Sequence, residues 1–171
     1  MTRNKWLLLF LWAAVILTAL WVGGTLYQML VIVPLWTASP PESLRSFLET
    51  GYLRTVLHFF GPPFVFARTL ALVLALIAGW PSRPHRNALM VALACWLFVV
   101  ALTLLYIYPM NDSLFVVGAS QPGDAAALEL LHRWIFADRI RFLIGCIGFT
   151  ALLWAFRLPA PDRTPQLTRG E

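Results

Sequence analysis

Four stretches of the chain are apolar almost without a break: residues 6–36, 64–80, 88–108 and 135–156. A helix needs about 20 predominantly apolar residues to cross the hydrocarbon core of a bilayer. The pattern predicts an all-α fold, an integral membrane four-helix bundle with a small outer cap of short helices and loops. This one domain fills residues 1–158, and the polar, Pro-rich residues 159–171 read as a disordered tail. The first run is too long for a signal-peptide core of roughly 7 to 15 residues and reads as an uncleaved anchor. It should tilt or project beyond the lipid, with Pro34 helping to end it.

The connections differ in kind. Residues 37–61 open with Pro40-Pro41-Glu42 and continue as SLRSFLETGYLRTVLHFF, a mixed stretch suited to a short interfacial helix. Gly61-Pro62-Pro63 then starts the second span. Pro81 to Arg86 is a tight basic turn. Pro109 to Arg133 carries a turn signal, Gln121-Pro122-Gly123-Asp124, followed by the good helix former AAALELLHRW.

Composition agrees with the pattern. Hydrophobic residues make up 60% and charged residues 12%, where a soluble domain has roughly 25% charged. An ordinary cytosolic enzyme, a disordered chain and a disulfide scaffold are excluded. The net charge of +5 sits in short flanks between spans, which points to membrane topology and not to nucleic acid. Seven Lys and Arg fall on one side (Arg3, Lys5, Arg83, Arg86, Arg157, Arg163, Arg169) and three on the other (Arg45, Arg54, Arg133). The positive-inside rule therefore places both termini in the cytoplasm, with the protein multi-pass in the inner cell membrane. Trp6, Trp36, Trp80 and Trp134 stand at span ends as interfacial aromatics. Cys95 and Cys146 are isolated within apolar runs and read as small hydrophobes.

Ionisable and polar groups inside spans are costly and face the bundle interior or water. Arg68 lies just inside span two. Asp138, Arg139 and Arg141 open span four, Asn111 follows span three, and Tyr27 and Gln28 lie in the outward part of span one. At about 1.5 Å per residue these depths are similar, so the four spans offer polar groups to one outer-leaflet site. Trp134, Asp138 and Arg141 share a helix face, with Arg139 pointing elsewhere. Asp138 and Arg141 can pair directly. Arg68 can complete an Arg–Asp–Arg cluster or bind an anionic ligand. Two readings stay open, a structural ion pair that fixes helix register and a substrate pocket. His58 and His132 are candidate bases, while His85 in the basic turn should be solvated. No HExxH or regular His/carboxylate spacing occurs, so no metal site is expected. Gly23-Gly24-Thr25 and Gly145, Gly148 offer small faces for close helix packing. Thr103 and Thr150 should bond their own backbone carbonyls.

Three stretches carry a resemblance. ALWVGGTLYQMLVIVPLW, YIYPMNDSL and HRWIFADRIRFLIGCIGFTALLWA resemble the first helix, the Pro-x-Asn-x-x-Leu element and the last span of the anthrone oxygenase-like family, small four-helix membrane proteins that are largely a domain of unknown function. Pro34, Pro109, Asn111, Trp134 and Arg141 match family positions. Asp138 stands where that pattern has Asn or His. The resemblance implies a cofactor-independent oxygenase-like enzyme acting on a lipophilic aromatic. Such chemistry needs a base and groups that stabilise a carbanion-derived oxyanion. His132 or His58 would be the base, and Arg68, Arg141 and Asn111 the stabilisers. Trp21, Tyr27, Trp134 and the phenylalanines of span two would suit the aromatic. No cofactor is expected, with haem or a quinone left open. The alternative is a non-enzymatic helper, a small-molecule-binding subunit of a larger membrane complex. The expected partners are the bilayer, a lipophilic aromatic ligand, and another membrane protein or a second copy of the chain.

Overall fold

The structure, a computed structural model, describes residues 3–39, 42–51, 55–56, 59–115 and 124–159. Helix α1, Arg3–Tyr27, continues through one π-helical turn, Gln28–Ile32, into Val33–Trp36. The short helix α2, Glu42–Glu49, follows. Helix α3 is Pro62–Gly79. Helix α4, Arg83–Leu102, passes through a second π turn, Thr103–Ile107, into Tyr108–Phe115. Helix α5 is Asp124–Arg157. Among the described residues there are no strands, and α1, α3, α4 and α5 are long and apolar enough to cross a membrane. The protein is a four-helix membrane bundle. In it α1 packs against α3 and α5, and α4 packs against the same two.

Two helices run further than the apolar pattern indicates. Nothing between Asp124 and Arg157 breaks a helix, so AAALELLHRW joins span four in one continuous α5 instead of forming a separate cap helix. Helix α4 is the second, running on past Pro109 to Phe115, while α1 passes Pro34 and ends at Trp36, where its apolar run ends. A proline in a helix crowds the carbonyl four residues earlier and lacks an N–H. Here those carbonyls belong to Leu30 and Leu105, the central residues of the two π turns. The widened turns, closed by Val33 N–H to the Gln28 carbonyl and Tyr108 N–H to the Thr103 carbonyl, accommodate each ring without ending the helix.

Glycines fix three close approaches, though not between the glycine faces of α1 and α5 that the sequence suggests. A Cβ at Gly148 would lie 2.9 Å from the Cβ of Cys95, so α4 and α5 pack closely there. Gly145 instead receives the six-membered ring of Trp21, and Gly24 receives Phe59 and Phe60.

The buried apolar residues form two separate clusters. One fills the half of the bundle near the termini, around Leu11, Trp21, Leu72, Leu89, Trp96 and Leu152. The other fills the distal half, around Ile32, Trp36, Ile107, Met110, Leu131 and Trp134. Helix α2 covers the second cluster with Leu44, Phe47 and Leu48. It is tied down by the Ser43 hydroxyl, which donates to the Trp36 carbonyl at 2.9 Å. Helices α1, α4 and α5 contribute to both clusters and α3 only to the first, and the polar side chains of α4 and α5 stand where one cluster gives way to the other.

Candidate functional site

The polar layer is assembled one helix at a time. From α3 comes Arg68, 2% exposed. Its guanidinium carbon lies 3.8 Å from the ring centre of Trp96 and 4.9 Å from that of Trp21. These are cation–π distances. The two indoles meet edge to face, 6.1 Å apart. Trp96 is anchored in turn: its indole N–H donates to the Thr69 hydroxyl at 2.8 Å, and that hydroxyl donates to the Val65 carbonyl at 2.7 Å. Trp21 can reach this position because Gly145 has no side chain.

From α5 come Asp138 and Arg141, one helical turn apart. They form a salt bridge through Arg141 Nη2 and Asp138 Oδ1. Arg141 Nη1 also reaches the Thr103 hydroxyl of α4 at 3.5 Å. The Thr103 hydroxyl donates to the Val99 carbonyl at 2.7 Å, as Thr150 does to Cys146 at 2.9 Å, both as expected. Arg141 lies 6.0 Å from the Trp21 ring centre, so both guanidinium groups converge on one indole. The first residue of the second π turn is thus a direct partner of the site. One-turn π segments recur at functional sites because they turn side chains inward that a regular helix would place elsewhere.

The layer is incompletely satisfied. Among the described residues, Arg68 Nε and Nη1, Arg141 Nε, Asp138 Oδ2 and the hydroxyls of Thr18 and Thr25 are buried without a hydrogen-bond partner. Most buried polar groups in proteins are paired, and each exception calls for an explanation.

The residues anticipated from the sequence separate into groups. Arg141 joins Asp138 and Arg68, pairing with Asp138 and sharing the Trp21 indole with Arg68, while Arg68 stacks on tryptophans and, among the described residues, forms no ion pair with Asp138. Asn111 and Trp134 meet each other instead: the Trp134 indole N–H donates to Asn111 Oδ1 at 2.7 Å, within the distal apolar cluster. Trp134 also packs edge to face on Trp36 at 5.2 Å. Tyr27 is 56% exposed and points away from the layer. Gln28 is half-buried and opens the first π turn. His132 is exposed, as is Arg139. His58, the tail beyond Pro159 and the Gln121-Pro122-Gly123 turn lie outside the described residues. His85 is buried, not solvated; its Nδ1 lies 2.8 Å from the Ser82 hydroxyl at the start of α4. Among the described residues no three His, Cys, Asp or Glu side chains come together.

Sequence reasoning missed Trp96 and Thr69 and left Trp21 outside the polar cluster. A signal existed: Trp21 and Trp96 are mid-span tryptophans, away from the interfaces where that residue concentrates. A buried indole N–H also demands an acceptor.

In comparisons with known proteins, the profile of the family described as anthrone oxygenase matches residues 52–151. That is 100 of the 171 residues and includes Arg68, Trp96, Thr103, Asn111, Trp134, Asp138 and Arg141. No curated protein and no solved structure matches the chain.

Proposed function

The chain belongs to the anthrone oxygenase family, and from that premise we propose that it is a membrane enzyme that oxidises a lipophilic aromatic with molecular oxygen at the polar layer. The observation that carries this reading is the set of buried polar atoms left without hydrogen-bond partners among the described residues, an acceptor on Asp138 and donors on Arg68 and Arg141, whose guanidinium groups both approach the Trp21 indole.

The reaction asks little of a cofactor when the substrate carries an acidic methylene beside an aromatic ketone. A base takes one proton from the methylene carbon, giving an enolate. The enolate passes an electron to dioxygen, the new carbon–oxygen bond gives a peroxide anion, and the base returns its proton to make the hydroperoxide. Loss of the second C–H proton with cleavage of the O–O bond yields the second ketone and water. One oxygen atom stays in the product and one leaves in water, so dioxygen is the only oxidant. The protein must remove the first proton, hold the negative oxygen and exclude bulk water.

In this reading Asp138 is the base. Its Oδ1 is held by Arg141, and its Oδ2 is free to accept the proton. Arg68 and Arg141 hold the enolate oxygen. His132 faces outward and takes no part, and Asn111 acts only by setting Trp134. The two apolar clusters keep water away and suit an aromatic body. The free polar atoms are covered, so the substrate reaches them by displacing side chains, and the two π turns beside the layer are the natural places for the helices to give way.

We further place both termini in the cytoplasm, on the strength of the seven Lys and Arg on that side. Labelling single cysteines near residues 3 and 169 from either face of the membrane tests this. Turnover is tested with anthrone and dioxygen in proteoliposomes, with empty vesicles as control. The native protein should exceed the control, and Asp138→Asn should fall to it. Equal rates with native and empty vesicles would remove this substrate and the reading with it.

A further inference from the structure

We infer that the polar layer binds a molecule carrying one negative charge on an apolar body, with its oxyanion against an unpartnered N–H of the Arg68 guanidinium. The inference rests on the layer being the ligand site; it does not depend on oxygen chemistry.

The argument starts from charge. The layer holds two guanidinium groups and one carboxylate, a net charge of +1. Asp138 is engaged by Arg141. No Asp or Glu occurs in residues 6–36, 62–79 or 83–111, so α1, α3 and the membrane part of α4 supply no second carboxylate. On α5 the nearest other acid within the described helix, Glu129, is exposed and paired with Arg133 at 2.5 Å. Arg68 is therefore a buried cation whose described neighbours are aromatic rings, and rings soften a charge without neutralising it. An unmatched charge inside a membrane bundle is expensive.

Hydrogen bonding gives the same answer independently. Among the described residues, Arg68 Nε and Nη1 and Arg141 Nε are three buried donors without acceptors. A singly charged oxyanion removes the excess charge and fills donor positions together. A neutral ligand would fill donors and leave the charge. A dianion would leave the layer negative, and a cation would raise it to +2. The body of the ligand is apolar because apolar clusters bound the layer on both sides. Carboxylates, phenolates and enolates with a hydrocarbon frame fit this description.

The test uses the full chain in a non-ionic detergent, without turnover. Quenching of tryptophan fluorescence is titrated with 2-naphthoate and with its neutral counterpart, 2-naphthamide. The acid should bind at least about tenfold more tightly, the advantage expected of a charge-assisted hydrogen bond. Arg68→Gln should abolish that preference, and Arg68→Lys, which keeps the charge, should retain most of it. Decanoate should compete with 2-naphthoate, whereas inorganic phosphate should not. If acid and amide bind equally, the charge assignment falls while the ligand site survives. If neither binds, both fall. Competition by phosphate as strong as that by decanoate would assign the layer to a free inorganic anion and overturn the apolar body. Should Arg68→Gln fail to fold, the acid–amide ratio in the native protein and in Arg68→Lys still decides.

Discussion

Replacing Asp138 by Asn should destabilise the bundle more than replacing its partner Arg141 by Met, although both changes break the same ion pair. The two side chains are 2% and 12% exposed, so neither group is well hydrated once its partner is gone. Asp138→Asn loses a charge-assisted hydrogen bond, about 1.5–3 kcal/mol. It also raises the layer from +1 to +2, leaving two buried guanidinium groups on one indole, for a total of about 3–5 kcal/mol. Arg141→Met loses the same bond but leaves Asp138 and Arg68 as opposite charges in one layer. Its net charge falls to zero, and the cost should be about 2 kcal/mol. The double variant returns the layer to +1 and should cost less than the two single changes added, with a coupling of about 1–3 kcal/mol. The assay is reversible unfolding from mixed micelles with increasing sodium dodecyl sulfate, read by circular dichroism for all four proteins. Equal costs for the two single variants, or a strictly additive double variant, would refute the charge arithmetic and leave the pair as an ordinary helix-surface contact.

Three further outcomes are expected. Gly145→Ala places a Cβ against the Trp21 ring; it should cost about 1–3 kcal/mol by overpacking, and Trp21→Phe in the same background should recover part of the loss in the same unfolding assay. Asn111→Ala removes the 2.7 Å bond from the Trp134 indole and should cost about 1 kcal/mol; adding Trp134→Phe should cost little more at that bond, which a double-mutant cycle reads directly. Glu129→Ala breaks an ion pair whose side chains are 65% and 62% exposed; thermal unfolding should place the change within about 0.5 kcal/mol of the native protein.

The number of spans, their approximate limits and the all-α membrane class are legible in the sequence. Lipid demands long unbroken apolar runs with their backbone bonded internally, and that demand is local. Asp138 and Arg141 were legible as a pair for the same reason: a spacing of three on one helix brings side chains together whatever the rest of the chain does. The extension of α4 beyond Pro109 was not legible. A proline reads as a stop unless the preceding turn widens, and whether it does depends on packing at that level of the bundle. The site was legible only as a depth. The sequence reading puts Tyr27, Gln28, Arg68, Asn111, Asp138, Arg139 and Arg141 at similar heights, of which Asn111 lies instead with Trp134 in the distal cluster, and it carries no rotation of one helix against another. Rotation is set by side chains meeting across helices: Trp21 entering the space left by Gly145, and Gly148 letting α4 approach at Cys95. It sends Arg68 onto Trp96, gives Asn111 to Trp134, and turns Tyr27 and His132 outward. Composition and periodicity determined which helices exist and that they lie in a membrane. Which polar groups face one another, and which are left buried without partners, was decided by the tertiary packing, because that is where the interhelical contacts are fixed.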